Sequence, residues 1–145
     1  MSDAHVVTPG EGQTFDLGII QMRLLAPKQL TSGQFSLVEF RGGEGPWTIP
    51  HIHCQTIESF FVLDGMFIFT VGGRDLEAGP GAYILVPPGT PHAMRAREGG
   101  GRFLTLMAPA GLEGMFIELS RLPPDSLRDP QVRSEVSARF DSHPV

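Results

Sequence analysis

The sequence predicts an all-β fold, a small antiparallel β-barrel followed by a short helical tail. Three observations indicate this fold class. Short apolar runs alternate with period two through most of the chain, glycine and proline separate these runs, and the period changes to about 3.6 near the C-terminus. The 18 glycines and 13 prolines among the 145 residues supply the corners that a barrel of short strands requires.

The barrel is expected to form one domain over residues 14–110. Residues 1–13 show no periodicity and are predicted to be a flexible N-terminal arm. The glycines Gly72 and Gly73 permit the positive φ angles of a tight hairpin. Aromatic and β-branched runs predict strands at residues 58–64 and 66–71, and further strands are predicted at residues 82–86, 92–97 and 102–107.

Residues 111–145 are predicted to form a helical segment that packs on the barrel. Four apolar residues recur at helical spacing in its first part, namely Leu112, Met115, Phe116 and Leu119. The pair Pro123-Pro124 is expected to end this first helix. A second helix is expected to begin at Asp129 as its N-cap, with Glu135 and Arg139 forming an i,i+4 ion pair on its surface.

Charge and composition exclude several function classes. The net charge is −5 and the eleven basic residues are scattered, which argues against a nucleic-acid partner. No apolar run approaches the roughly 20 residues that span a bilayer, so no membrane insertion is expected. The single cysteine excludes an intrachain disulfide, and the N-terminus lacks the pattern of a signal peptide. We expect a soluble, cytoplasmic protein whose partner is a small molecule.

Three histidines and one glutamate predict a metal site. In the sequence His51-Ile52-His53, strand geometry places both imidazoles on one face, where Glu58 and His92 can complete the site. Imidazole suits Fe, Ni, Cu and Zn, and the carboxylate keeps Mn and Co possible, so the cofactor is predicted to be one divalent transition metal. Two alternatives stay open: ordinary polar residues at turns and strand ends, or a metal that only braces the barrel.

The same residues carry a resemblance to the cupin superfamily. GPWTIPHIHCQTIESFFVLDG, residues 45–65, has the spacing of the first cupin motif, and GAYILVPPGTPH, residues 81–92, has that of the second. The resemblance implies a single-domain cupin, whose barrel is a jelly roll or double-stranded β-helix, and it implies a homodimer. One departure is Ala96, which stands where the second motif usually ends in an Asn that is not a metal ligand.

Within that superfamily the chain resembles the single-domain relatives of quercetin dioxygenase, through the segment HIHCQTIESFFVLDGMF and the later segment PAGLEGMF. This resemblance implies a metal-dependent dioxygenase that combines O₂ with an enolisable or phenolic substrate, such as a flavonol or a polyketide enol. It also implies that Glu58 is both a metal ligand and the catalytic base. Two other functions stay open: an isomerase, cyclase or lyase that uses the metal as a Lewis acid in natural-product tailoring, and a small-molecule binder without turnover.

Apolar residues near the predicted ligands are expected either to line the substrate pocket or to fill the core. The candidates are Trp47, Phe60, Val62 and Met94. Strand alternation places the last three on the same face as the ligands, and Trp47 lies on the approach to His51, as a lid or a plug of the barrel end. By the same alternation Cys54 points away from the ligands and is predicted to be a small buried apolar residue.

Overall fold

The structure is a computed structural model that describes residues 3–145. The strands are β1 (Thr14–Asp16), β2 (Ile20–Ala26), β3 (Ser36–Gly42), β4 (Gly45–Pro46), β5 (His51–Ile52), β6 (Ile57–Val71), β7 (Arg74–Ala78), β8 (Tyr83–Val86), β9 (His92–Ala108) and β10 (His143–Pro144). The helices are α1 (Glu113–Ser120), α2 (Pro124–Arg128) and α3 (Pro130–Ser137), and a 3₁₀ turn covers Lys28–Leu30. All strand pairs are antiparallel, so the predicted fold class is confirmed.

The two longest strands, β6 and β9, pair with each other along nearly their whole length and form the spine of the barrel. The first half of β6 also pairs with β8, and its second half pairs with β7. Similarly, the first half of β9 pairs with β4 and β5, whereas its second half pairs with β3. Each long strand therefore passes through both halves of one continuous sheet, which folds over on itself around the core.

The bend in the spine lies at Gly65, opposite Gly101. Register shifts on both sides of Gly65 mark bulges, which bend a strand and increase its twist. Gly65 has a φ of 80°, and a Cβ at this position would overlap the carbonyl oxygen of Gly100. Both the conformation and the close approach of the two strands thus require glycine. The sequence predicted two strands separated at Asp64-Gly65, whereas the structure has one strand that bends there.

An aromatic cluster fills the space between the two halves of the sheet. Phe60, Phe67 and Phe69 surround Phe103 with ring centroids 5.3, 5.0 and 5.7 Å from it. Trp47 adds an edge-to-face contact with Phe67 at 4.9 Å. Such pairs contribute about 0.5–1.5 kcal/mol each beyond the burial of their area. The cluster therefore gives the barrel a rigid interior against which the polar site is built.

The C-terminal helices differ from the prediction in two details. Asp129 is the N-cap of α3, as predicted, and accepts a hydrogen bond from the Gln131 amide at 2.9 Å. The first difference is an additional short helix, α2, between the two predicted helices. It begins at Pro124, because proline is well tolerated in the first turn of a helix. The predicted Glu135–Arg139 pair is wrong: α3 ends before Arg139, which instead pairs with Glu118 of α1 at 2.9 Å.

None of the helices within residues 3–145 is long and apolar enough to cross a membrane.

The bend of the spine at Gly65 predicts that two glycines with the same φ tolerate substitution by alanine differently. Gly65 and Gly73 both have a φ of 80°, but a Cβ at Gly73 would meet no atom within 4 Å. Gly73→Ala should cost about 1–2 kcal/mol of unfolding free energy because of its left-handed backbone alone. Gly65→Ala should cost distinctly more, since the strands must also move apart. Urea unfolding of both variants measures this, and equal losses would contradict the close approach at the corner.

Candidate metal centre

The structure brings the four predicted ligands together at one end of the barrel interior. The ligand-type atoms of His51, His53, Glu58 and His92 all lie within 4.8 Å of one another. His51 in β5 pairs with His92, the first residue of β9, and their ring centroids are 4.2 Å apart. Glu58 lies in β6, between Val86 of β8 and Met107 of β9. Three of the side chains therefore come from strands held in register by the spine, and the fourth, His53, comes from the loop directly after β5.

A backbone hydrogen bond joins the two sequence segments that supply these side chains. The amide of Gly89, in the turn before β9, donates to the carbonyl of His53 at 2.7 Å. Gly89 has a φ of 80°, which favours glycine. The glycine of the second motif thus fixes the loop that follows β5, and so brings His92 to the His51-Ile52-His53 segment.

Each histidine is oriented by a hydrogen bond from its outer ring nitrogen. The Nδ1 atoms lie at hydrogen-bond distance from backbone carbonyls: His51 from Ile49 (2.7 Å), His53 from Asp141 (2.7 Å) and His92 from Thr90 (3.0 Å). In a neutral imidazole that donates through Nδ1, the Nε2 atom carries the lone pair. This tautomer is the one that metal-binding histidines adopt when the other nitrogen donates to a carbonyl.

The inner nitrogens face a carboxylate rather than a hydrogen-bond donor. Glu58 Oε1 lies 3.2 Å from His92 Nε2 and 3.4 Å from His53 Nε2. The His53 Nε2 atom is buried and has no hydrogen-bond partner among residues 3–145, since its geometry toward Glu58 is unfavourable. A buried lone pair that faces a carboxylate is stabilised when a proton or a metal cation lies between the two groups. Three imidazoles and one carboxylate are suitable donors for a divalent transition metal, so the residues fit the predicted cofactor.

Electrostatics show that a proton competes with a metal for this site. Burial alone would raise the pKa of Glu58, but the neighbouring His53 and His92 lower it to about 2. Burial lowers the pKa of His53, but the Glu58 carboxylate outweighs this and the net shift is upward. Burial, together with the charge on His92, lowers the pKa of His51 to about 4. Metal binding must therefore release the His53 proton, and metal affinity should fall as the pH falls through the raised pKa of His53.

A cavity of about 440 Å³ opens beside the four side chains. Its volume lies within the range of small-molecule pockets, and most of its walls are apolar. Of the predicted pocket residues, Trp47, Phe60 and Met94 line it. Val62 does not: it shares the strand face of Glu58 and Phe60 but lies deeper in the barrel, where it is fully buried in the core. The sequence shows on which face a residue lies, but not at which depth.

The C-terminal helices form the other side of this cavity. They contribute Met115, Phe116, Leu119, Leu127, Pro130 and Arg133 to its lining. The Phe116 ring of α1 packs edge-on against Phe40 of β3 at 4.9 Å, which holds α1 over the barrel. The sequence predicted a helical segment packed on the barrel, and its apolar stripe was the available signal. That the segment lines one side of the cavity is apparent only from the structure.

Sequence reasoning missed Asp141, which holds the loop between His53 and Thr56. Its carboxylate accepts hydrogen bonds from the amides of Cys54 (2.7 Å), Gln55 (2.9 Å) and Thr56 (2.9 Å) and from the Thr56 hydroxyl (2.8 Å). These bonds outweigh the effect of burial and lower the pKa of Asp141. Its backbone carbonyl accepts the His53 Nδ1 hydrogen bond across 88 residues of sequence. No local pattern connects two residues so far apart.

The predicted burial of Cys54 is wrong, because Cys54 is exposed. Strand β5 ends at Ile52, so the alternation on which the prediction depended stops before Cys54 is reached. The loop instead turns outward to reach Asp141. Cys54, Asp141 and His143 bring a second group of ligand-type atoms within 4.8 Å of one another near the surface. The Asp141 oxygens in this group are already occupied by the four donors of the loop.

Comparison with known proteins agrees with the geometry. The cupin domain family matches residues 36–107, which cover the barrel from β3 to β9. The chain belongs to the cupin superfamily. This cupin is 28% identical over 112 residues to quercetin 2,3-dioxygenase of Bacillus subtilis, a match that covers 77% of the chain but 33% of the dioxygenase. The chain thus spans about a third of the length of that relative.

Solved cupin structures share the fold. KdgF from Halomonas sp. superposes with a TM-score of 0.69 at 20% identity, covering 77% of this chain and 99% of KdgF. Pac13, a nucleoside dehydratase from Streptomyces, superposes with a TM-score of 0.63 at 17% identity, covering 77% of this chain and 88% of Pac13. At these identities the similarity shows the fold alone.

The site geometry predicts a graded series of metal affinities. His53→Ala removes a donor atom and should weaken metal binding most. Asp141→Asn keeps all four proposed metal ligands but replaces a carboxylate oxygen with an NH₂ group that faces backbone amides. The loop between His53 and Thr56 should loosen, so metal affinity should fall about tenfold or more. His5→Ala changes an exposed histidine outside the site and should bind as the wild type does. Co²⁺ titration followed by visible absorption measures all four proteins.

Thermal unfolding separates metal binding from folding in this series. Metal should raise the unfolding midpoint of the wild type and of His5→Ala, since a ligand of the folded state stabilises it by mass action. The increase should be smaller for Asp141→Asn and smallest for His53→Ala. Equal Co²⁺ affinity in wild type and His53→Ala would refute the ligand set. A folded Asp141→Asn variant with wild-type affinity would show that Asp141 does not position His53.

Proposed function

We propose that this cupin is a metal-dependent dioxygenase that acts on an enolisable or phenolic small molecule, such as a flavonol or a polyketide enol. The observation that carries the proposal is the set of buried lone-pair donors on one side of an apolar cavity. The sequence similarity to quercetin 2,3-dioxygenase over 77% of the chain supports it. The partners are then the organic substrate and O₂.

His51, His53, Glu58 and His92 would hold one divalent transition metal, namely Fe, Mn, Ni, Co, Cu or Zn. When bound, such a metal supplies Lewis-acid stabilisation of an enolate or phenolate and, where it is redox-active, electron transfer to O₂. Each histidine is already oriented by its Nδ1 hydrogen bond to a carbonyl. Little reorganisation is therefore needed when the four side chains take up the cation.

Glu58 is proposed to be the base as well as a ligand. It is the only carboxylate that lines the cavity within residues 3–145. A pKa of about 2 keeps it ionised at neutral pH but makes it a weak base, so proton transfer to it would depend on a bound metal that lowers the pKa of the substrate hydroxyl. Because the side chain is 5% exposed, bulk water has little access to a proton held there. Deprotonation and binding of the substrate oxygen would thus take place at one position.

The apolar walls determine which substrates fit. Trp47 and Phe60 offer aromatic surfaces and Met94 a flexible thioether, a combination that suits a flat organic molecule. The same walls limit the access of water to the ionised Glu58 and to the reacting atoms. A polar or highly hydrated substrate would lose hydration without gaining partners along most of this surface.

A second candidate function is an isomerase, cyclase or lyase that needs no O₂. The observation that favours it is the juxtaposition of a proton acceptor and a metal-type donor set, which serves proton transfer without an oxidant. The fold shared with a nucleoside dehydratase is compatible with such chemistry. A small-molecule binder without turnover would use the same cavity. Dependence on O₂ separates the first two functions, and turnover separates both from the third.

A homodimer is proposed from one exposed apolar face. Phe61, Tyr83, Leu85 and Leu106 project outward from neighbouring strands β6, β8 and β9 and are 42%, 60%, 51% and 36% exposed. A contiguous apolar surface of this kind marks an interaction site. Leu85→Glu should shift the protein toward monomer in sedimentation velocity, whereas Leu30→Glu, an exposed leucine in the 3₁₀ turn, should not. A monomeric wild type would contradict the proposal.

The two roles of Glu58 predict a specific result for Glu58→Gln. The amide keeps an oxygen ligand of similar shape but removes the charge and the proton acceptor. Some metal should therefore remain bound while turnover per metal atom falls by about 10² to 10⁴, the usual contribution of general-base catalysis. The measurement is O₂ uptake on a panel of flavonols, β-diketones and polyketide enols, normalised to bound metal.

Each alternative gives a different result in this experiment. Turnover that persists in the wild type without O₂ would favour the isomerase, cyclase or lyase. Near-wild-type turnover per metal in Glu58→Gln would falsify the role of base. Binding of panel compounds without product formation, with metal bound, would favour a binder. Leu30→Ala, in the exposed 3₁₀ turn, is a suitable control because Leu30 lies outside both the cavity and the proposed dimer face.

A further inference from the structure

The cavity has one cationic side chain in its lining, and it comes from the helical side. Among the residues described, Arg133 of α3 is the only lysine or arginine that lines the cavity. The proposed metal ligands come from the barrel side, on β5, the loop after it, β6 and β9. Between these two polar ends most of the lining is apolar. A ligand that spans the cavity therefore meets polar chemistry at two places.

Arg133 has no ionic partner within residues 3–145, although its neighbours have. The Arg128 guanidinium of α2 forms an ion pair with the Asp125 carboxylate at 3.4 Å, and the Arg139 guanidinium forms one with the Glu118 carboxylate at 2.9 Å. The guanidinium of Arg133 makes no ion pair or hydrogen bond to the described chain, and the residue is half-buried. A half-buried guanidinium beside apolar walls loses part of its hydration without compensation. An anionic group on a ligand would supply that compensation.

We propose that Arg133 is the specificity-determining residue for an anionic group on the substrate. The substrate class is a flat apolar molecule with a hydroxyl or enol at one end and a carboxylate at the other. Arginine suits this task because its planar fork binds a carboxylate through two parallel hydrogen bonds. The inference rests on the proposed function for the hydroxyl end only, since Arg133 and the metal ligands belong to separate elements.

The net charge of the chain makes a preference for an anionic ligand informative. At −5, the protein disfavours anionic ligands in general. A local cation must reverse that preference, either a bound metal or Arg133, and in the metal-free protein Arg133 is the only lysine or arginine among the described residues that lines the cavity. A wild type that prefers the acid over the corresponding ester thus identifies a positive group in the cavity, and a single substitution at Arg133 shows whether this is the group responsible.

The test uses 6-hydroxy-2-naphthoic acid and its methyl ester, in which hydroxyl and carboxyl groups lie at opposite ends of a rigid ring system. Dissociation constants are measured by calorimetry on the metal-loaded protein without O₂ and again on the metal-free protein. The wild type should bind the acid about tenfold more tightly than the ester, because a hydrogen bond to a charged group contributes about that factor or more. Arg133→Gln should lose this preference while its ester affinity is unchanged.

Matched variants complete the experiment. Arg128→Gln removes an exposed arginine outside the cavity and should keep the wild-type preference, and Arg133→Lys should keep part of it because the charge remains. Thermal unfolding of each variant confirms that it is folded. The proposal is overturned if the wild type binds neither compound, if it binds both equally, or if Arg133→Gln weakens acid and ester alike.

Failure of this inference is distinguishable from failure of the dioxygenase proposal. Loss of the acid preference in Arg133→Gln, together with no O₂ uptake on any panel compound, would support the anion site and refute the dioxygenase. Metal-dependent O₂ uptake on neutral flavonols with no effect of Arg133→Gln on the acid-to-ester ratio would support the dioxygenase and overturn the anion site. The binding measurement requires no turnover, so each conclusion stands alone.

Discussion

The rest of the site depends on one electrostatic constraint, the burial of imidazole lone pairs against a carboxylate. Glu58, His53 and His92 are each 5% exposed or less, and Glu58 Oε1 lies within 3.4 Å of both inner nitrogens. Water cannot relieve this arrangement at such burial, so a proton or a metal ion must lie between the groups. When the Nδ1 atoms donate to carbonyls, the Nε2 lone pairs point inward, and this is the tautomer in which the four side chains could bind a metal.

This constraint explains why the C-terminal segment belongs to the site. The segment covers the cavity with α1 and α3, and just beyond α3 the side chain of Asp141 fixes the His53–Thr56 loop while its carbonyl orients the His53 ring. Strand β10 then pairs with β5 beside the same loop. The cover of the cavity and the support of the proposed ligands are therefore one continuous piece of chain. A change in the position of this segment would alter both access to the cavity and the orientation of His53.

The chemical character of the cavity follows from the side chains that surround the proposed metal ligands. The aromatic cluster around Phe103 makes one side rigid and apolar, and the helices add further apolar side chains. Among the described residues that line the cavity, the charged groups belong to the proposed metal ligands and to Arg133. Their surroundings have low polarity, so their electrostatic interactions with a ligand are stronger there than in water. A cavity of this kind selects a ligand by the distance between its polar ends as well as by its flat shape.

The sequence by itself determined the barrel, the helical tail and the four residues that converge. Local chemistry determines these features: alternation sets strand faces, Asp129 caps a helix, and His51 and His53 share a face because they are two residues apart. Tertiary structure alone decided that Val62 lies below the cavity, that Cys54 faces solvent, that Arg139 pairs with Glu118, and that Asp141 and Arg133 reach the site. These outcomes depend on where strands end and how the tail folds back over the barrel. Contacts between residues far apart in sequence decide both, and the periodicity of a segment carries no information about its distant partners.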